Sequence, residues 1–300
     1  MSKTLTYEGV VTRVRDASAG LYELDGAVVL CTAYTQLHNG GRGLREGARV
    51  EACDVHLQQS PSPLFPTIIL STCLRSRVRV FEFSRLSAPC SLFSGSGNLF
   101  LHLLFHYRLR LPEYLWVCDI IRQLQEKLRP SLVRQRCLTQ HTESSSHGVT
   151  EKLLDSSLSS LSDGRQERDL YEEMVANPHN CPLRAYSPLP PPWCLPPLSH
   201  FSSLACKSQY VRRKESNRSL DWCHYCLPSE DISPPHVLLG VLHASSSGIL
   251  QLRDRSSSLT CLILPNSPIA WIGCVLEVRQ YQLVVETLQR KDNAIEQRNR

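Results

Sequence analysis

The chain has 300 residues with 42% hydrophobic, 20% charged and 7% aromatic content, 19 prolines and 13 cysteines. Such a length favours two domains, and the apolar content excludes a collagen, a coiled coil or a chain disordered throughout. The formal net charge of +5 suits a nucleic-acid partner and equally an ordinary solvated surface.

The first residues, Met1 to Glu8, carry no apolar signal segment, and no apolar run approaches the ~20 residues that span a bilayer. The longest, Leu99 to Phe105, is interrupted by His102. These features predict an intracellular chain, away from membranes, whose cysteines are mostly reduced and buried.

Residues 4–85 read as strands with turn punctuation. Thr4 to Arg15 is rich in β-formers, with Gly9 marking a bend. Leu21 to Leu24 is a short strand, Asp25-Gly26 is a hairpin turn, and Ala27 to Ala33 is a strand apolar on both faces. Arg49 to Leu57 follows a Gly-rich connection, and a long strand is expected from Thr67 to about Phe83. Five strands beginning with a long, glycine-bent one predict a small barrel. An OB-fold is favoured, with an SH3-like barrel as competitor and little room for a helix between the third and fourth strands.

Residues 98–130 change to helical spacing. Pro112 suits a first turn, Val117, Ile120, Ile121, Leu124 and Leu128 form one stripe, and Pro130 ends the run. From Ser131 onward the chain is Ser- and Pro-rich, which predicts a partly disordered connector with one short helix near Asp169 to Val175. From His236 the strand–turn order of the first module repeats over Val237 to Ala244, Ile249 to Asp254 and Leu259 to Ile263. A fourth strand region covers Trp271 to Glu286, and the charged end from Gln289 offers no fifth.

The expected architecture is therefore mainly β with α segments. Tandem OB-fold-like five-stranded barrels are joined by a helical and partly disordered linker. The divisions are a barrel over 1–87, a helical segment over 88–130, a linker with a basic cluster over 131–232, and an incomplete second barrel over 233–300.

Strand alternation places Arg75, Arg77 and Arg79 on one face, continued by Phe81 and Phe83, with Leu74, Val78 and Val80 turned inward. Guanidinium groups beside aromatic rings suit the phosphates and stacked bases of single-stranded nucleic acid. Arg75, Arg77 and Arg79 are the expected phosphate contacts and Phe81 the stacking residue. An edge strand that uses charge to block aggregation would show the same pattern. A second basic cluster, Lys207, Arg212, Arg213, Lys214 and Arg218, fits phosphate contact, a nuclear localisation signal or a solvated linker.

Other motifs carry less chemistry. Cys223-His-Tyr-Cys226 has the spacing of half a zinc site, but Cys194, Cys206 and His200 give no matching second pair. His102 and His106 lack the glutamate of a metalloprotease helix, and Ser94 to Gly97 leads into no P-loop. No nucleophile elbow or kinase signature is present, and Glu172-Glu173 reads as solvated. A non-enzymatic chain without cofactor or assigned metal site is expected.

Two stretches carry a family likeness. His243 to Ile263, together with Leu24 to Leu30 and Arg49 to His56, resembles the large-subunit family of the vertebrate CST telomere-maintenance complex. The likeness spans both modules, and the chain is much shorter than that family's full subunit. It implies tandem OB-folds acting with two small OB-fold subunits on telomeric single-stranded DNA. It also implies recruitment of DNA polymerase α–primase for fill-in synthesis, in the nucleus at the telomeric region of chromosomes. No DNA-contact residue of that family is carried over onto this chain. A protein–protein scaffold that docks polymerase or sister subunits without touching DNA is the alternative.

Overall fold

The structure is a computed structural model that describes residues 4–35, 44–59, 68–85, 98–129, 149–162, 167–184, 193–207, 220–264 and 268–290. It divides into two compact units, one of residues 1–119 and 154–190, the other of 120–153 and 191–300.

In the first unit, β1 (Thr4–Asp16), β2 (Leu21–Leu24), β3 (Val28–Cys31), β4 (Arg49–Gln59) and β5 (Ile68–Ser71) pair in the order β1-β2-β3-β5-β4. A further β1–β4 pairing leads back to the start, and β3 runs parallel to β5 while the other pairs are antiparallel. This strand order is OB-fold-like. β1 serves two neighbours, pairing with β4 over Thr4–Val10 and with β2 over Val11–Asp16. Gly9 sits just before that change of partner. A Cβ there would lie 2.3 Å from the Asp25 carboxylate, which accepts hydrogen bonds from the Tyr7 hydroxyl (2.7 Å) and the Val10 N–H (2.9 Å). The hairpin turn forms as expected, with φ of 52° at Asp25 and 69° at Gly26. Val11, Tyr22, Leu24, Leu30, Val50, Val55 and Leu70 fill the interior.

The long strand expected from Thr67 is two strands. β5 stops at Ser71, a turn follows in which the Ser76 N–H donates to the Cys73 carbonyl, and β6 (Arg77–Glu82) then pairs with β4. Val78 and Val80 pack on the core as predicted, whereas Leu74 lies in the turn. Residues 36–43 of the connection between β3 and β4 lie outside the described residues.

The helical segment is two helices, α1 (Leu99–His106) and α2 (Leu111–Lys127). Asn98 caps α1 by accepting from the N–H groups of Phe100 and Leu101. Glu113 reaches back to accept from the Arg110 N–H at 2.8 Å, half of a capping box for α2. Tyr114 is fully buried and its hydroxyl donates to the Ala19 carbonyl at 2.7 Å, fixing α2 to the β1–β2 turn.

The stretch read as connector holds regular structure. α3 (Val149–Ser162) buries Val149, Leu153, Leu154 and Leu158, an apolar stripe masked by the intervening serines. α4 (Leu170–Val175) coincides with the expected short helix and is capped by Asp169, which accepts from the Glu172 N–H. α5 (Leu198–Lys207) and β7 (Leu220–Pro228) also fall within it.

In the second unit, β8 (Leu238–Ala244), β9 (Leu250–Arg253), β10 (Ser258–Thr260) and β11 (Val275–Val278) form a four-stranded sheet ordered β10-β9-β8-β11. The first three match the predicted strands. The single region expected over Trp271 to Glu286 is β11 followed by β12 (Gln282–Arg290), which pairs with β7 from Gln282–Pro228 to Arg290–Leu220. β12 is thus a fifth strand that reaches Arg290, where none was expected, and the charged end beyond it lies outside the described residues. Its partner β7 lies more than fifty residues earlier, so local sequence gave no sign of the pairing. Leu198 and Phe201 of α5 pack against Leu238 and Leu252.

A buried ion pair organises this unit. Lys127 at the end of α2 meets Asp254 at 3.0 Å, both side chains almost wholly buried, and also donates to the Pro196 carbonyl at 2.6 Å. Asp254 accepts from the N–H groups of Leu198, Ser256 and Ser257 and from the Ser256 hydroxyl. Burial pushes the Asp254 carboxyl up, but the Ser256, Leu198 and Lys127 donors outweigh it and hold it below its ordinary range.

Candidate nucleic-acid interface

β6 presents Arg77, Arg79 and Phe81 on one exposed face, because alternate residues of a strand point the same way and Val78 and Val80 fill the other side. Phe83 continues the row beyond the strand. The Arg79 guanidinium lies 5.4 Å from the Phe81 ring centroid, close enough for a cation–π contact. A base stacked on Phe81 and a phosphate on Arg79 would use the same geometry.

Arg75 is not part of this row. It sits in the turn before β6, and its guanidinium donates to the carbonyls of Met174 (2.9 Å) and Ala176 (2.5 Å) at the C-terminal end of α4. Spacing alone put it on the strand face. The reversal at Cys73–Ser76 ends the strand's alternation, and a cation there finds the unsatisfied carbonyls of a helix end. Arg75→Ala should therefore lower the stability of the first unit by about 1–3 kcal/mol. Urea unfolding would show this as a reduced midpoint.

The neighbouring strands add carboxylates. Arg79 pairs with Glu51 of β4 at 3.4 Å, and Arg49 pairs with Glu8 of β1 at 2.6 Å and with Glu82 at 3.6 Å. Arg49, Arg77 and Arg79 thus share a surface with Glu8, Glu51 and Glu82, so the face is of mixed sign. Exposed pairs of this kind are worth only about 0–1 kcal/mol, small enough for an incoming phosphate to displace the glutamate.

The remaining sequence candidates separate. His102 and His106 stack with ring centroids 5.6 Å apart on α1. Cys226 is exposed, and the side chain of Cys223 lies outside the described residues, as do Arg212, Arg213, Lys214 and Arg218 of the basic cluster. Glu173, read as solvated, is 3% exposed and bound by Arg168.

Sequence reading missed one constellation. His56, Cys73, His179 and Cys181 converge, with their ligand-type atoms all within 4.8 Å of one another. The Cys73 thiol is held well below its ordinary range, first by the hydrogen bond from Cys181, whose own thiol is pushed up by the same contact. No CxxC or HxxxH spacing announces the group, since its members come from three separate stretches of the chain.

The family model described as "CST, telomere maintenance, complex subunit CTC1 third domain" matches residues 1–190, and the corresponding fourth-domain model matches 197–294. The CST complex subunit CTC1 of Homo sapiens is 36% identical over 310 residues, covering 95% of this chain and 26% of that protein. The Mus musculus subunit is 36% identical over 311 residues, with the same two coverages. That of Danio rerio is 33% identical over 313 residues, covering 96% of this chain and 25% of its own length. The chain spans about a quarter of the length of these relatives. With family models matching residues 1–190 and 197–294, the chain belongs to the CTC1 family of CST telomere-maintenance complex subunits.

Proposed function

We propose that this chain is a non-enzymatic part of a telomere-maintenance subunit that contacts single-stranded telomeric DNA through the outer face of β6. The complex it serves protects chromosome ends and promotes fill-in synthesis by DNA polymerase α–primase, in the nucleus, together with two small OB-fold subunits. The observation that carries the reading is the exposed row Arg77, Arg79 and Phe81 on an OB-fold-like sheet. The mechanism is electrostatic capture of phosphates with stacking of a base, strengthened where further barrels lie along the same strand of DNA.

A labelled G-rich telomeric single strand, followed by fluorescence anisotropy at two salt concentrations, tests this. Binding should weaken with salt, and Arg77→Ala with Arg79→Ala should flatten the slope of log K against log salt by about 1.4, at ~0.7 for each phosphate no longer neutralised. Arg75→Ala, whose guanidinium is engaged at the α4 terminus, should leave the slope unchanged. An unaltered slope in the double variant would remove the β6 face from the mechanism.

A scaffold role is favoured by a different observation. Leu262, Leu264 and Ile269 in the second unit are 86%, 80% and 74% exposed, a density of bare apolar side chains that suits a protein partner. A sister subunit or polymerase that co-purifies and survives nuclease treatment, with no DNA binding at low salt, would establish that role instead.

A further inference from the structure

The His/Cys cluster lies wholly within the first unit and is assembled by elements with independent reasons for their positions. His56 follows a bulge in β4 at Asp54, whose φ is 54°; the bulge shifts the β1–β4 register between Leu5 and Tyr7. The bulge resets the alternation so that Val55 joins Val50 and Ala52 in the core, while His56 on the opposite face is buried against His179 and Cys181. Cys73 begins the turn after β5. Its N–H donates to the Ser76 hydroxyl at 2.9 Å, and that hydroxyl donates to the Asp54 carbonyl at 2.7 Å, so bulge and turn are locked together. His179 and Cys181 arrive on the segment after α4. Gln58 holds that segment through the Leu183 carbonyl at 2.9 Å, and Arg75 holds the end of α4 before it.

All four donor atoms lie within 4.8 Å of one another, and two of the edges between them match a tetrahedral site. Cys73 Sγ is 3.4 Å from His179 Nε2, and Cys181 Sγ is 3.4 Å from His56 Nε2. Zinc bonds of ~2.3 Å to sulfur and ~2.0 Å to nitrogen give nitrogen–sulfur edges of about 3.5 Å in a regular tetrahedron. The two imidazoles stack at 5.6 Å between centroids with 25° between planes, and the Nε2 of each contacts a thiol sulfur. His56, Cys73 and Cys181 are buried, and two sulfurs with two imidazole nitrogens are a donor set that selects zinc over hard cations. Of the four, Cys181 also lines a cleft of about 790 Å³.

We propose that His56, Cys73, His179 and Cys181 bind one zinc ion, in a structural site that fastens the 179–181 segment to the β4–β5 end of the first unit. Four protein donors close the coordination sphere, which marks the ion as structural and leaves no position for a reacting water. The contacts cross 106 and 125 residues of chain, so the ion acts as a long-range staple. Once bound, both cysteines are thiolates and their protons are released to solvent.

The test uses the 300-residue chain purified without chelator, with metal measured by elemental analysis and cobalt(II) spectroscopy. About one zinc per chain is expected, exchangeable for cobalt with the intense d–d and sulfur-to-cobalt bands of a tetrahedral site. Cys73→Ser with Cys181→Ser should abolish uptake, while Cys223→Ser with Cys226→Ser should leave it intact. His179→Cys, which keeps four ligands, should retain one cobalt with its absorption shifted toward that of a three-sulfur site; this variant guards against loss through misfolding alone. Two results would each overturn the assignment: no zinc or cobalt uptake by the parent chain, or undiminished stoichiometry in the Cys73/Cys181 variant.

Discussion

Lys127→Ala should destabilise the second unit by about 3–5 kcal/mol, read as the loss of most of its resistance to urea. The substitution removes the cation from Asp254 and leaves a buried carboxylate with N–H and hydroxyl donors alone. It also frees the Pro196 carbonyl and one end of the link between α2, α5 and the β9–β10 turn. Replacing both partners together, Lys127→Met with Asp254→Leu, should recover much of the loss. A matched apolar pair carries no desolvation penalty, although the backbone donors that Asp254 satisfies would then need water. If the single substitution shifted the midpoint no more than a surface change does, the pair would not organise this unit.

The same carboxylate sets an acid limit. Asp254 is held below its ordinary range in the folded chain, so its contribution to stability is complete above the unfolded value of about 4. It is lost as pH falls through the lower folded value. Thermal unfolding of the parent chain between pH 7 and pH 3 should show this loss, and Asp254→Asn should reduce that part of the dependence.

Glu173→Ala should cost the first unit about 2–4 kcal/mol. Its carboxylate takes two hydrogen bonds from the Arg168 guanidinium, at 2.7 and 2.9 Å, and a longer one of 3.3 Å from the Leu74 N–H. Arg168 in turn donates to the Tyr34 carbonyl at 2.8 Å and lies over the Tyr34 ring. One buried acid therefore joins α4 to the segment following β3 and to the turn that holds Cys73. Glu173→Gln, which keeps one acceptor and some shape, should lose less than Ala. Equal losses in the two variants would mean that packing, and not charge, holds the contact.

What could be read from the sequence shares one property: it depends on neighbours a few residues apart. The β1–β3 run, the Asp25–Gly26 turn, the α2 stripe and the outward row Arg77, Arg79 and Phe81 all follow from local period and turn chemistry. α3 was hidden because its four buried apolar residues are set among serines that read as low complexity. The error at Arg75 has the same origin. Alternation is a valid rule only while the strand lasts, and the Cys73–Ser76 turn that ends it is fixed by a hydroxyl bridging to Asp54 on another strand.

Tertiary structure decided the rest, because it brings together groups that are remote in the chain. β7 finds β12, Lys127 finds Asp254, and His56 and Cys73 meet His179 and Cys181. Local sequence specifies the elements, since backbone hydrogen bonding and side-chain period act over a few residues. Which buried polar groups face one another is settled only when those elements pack, where each donor or charge removed from water must find a partner across the fold.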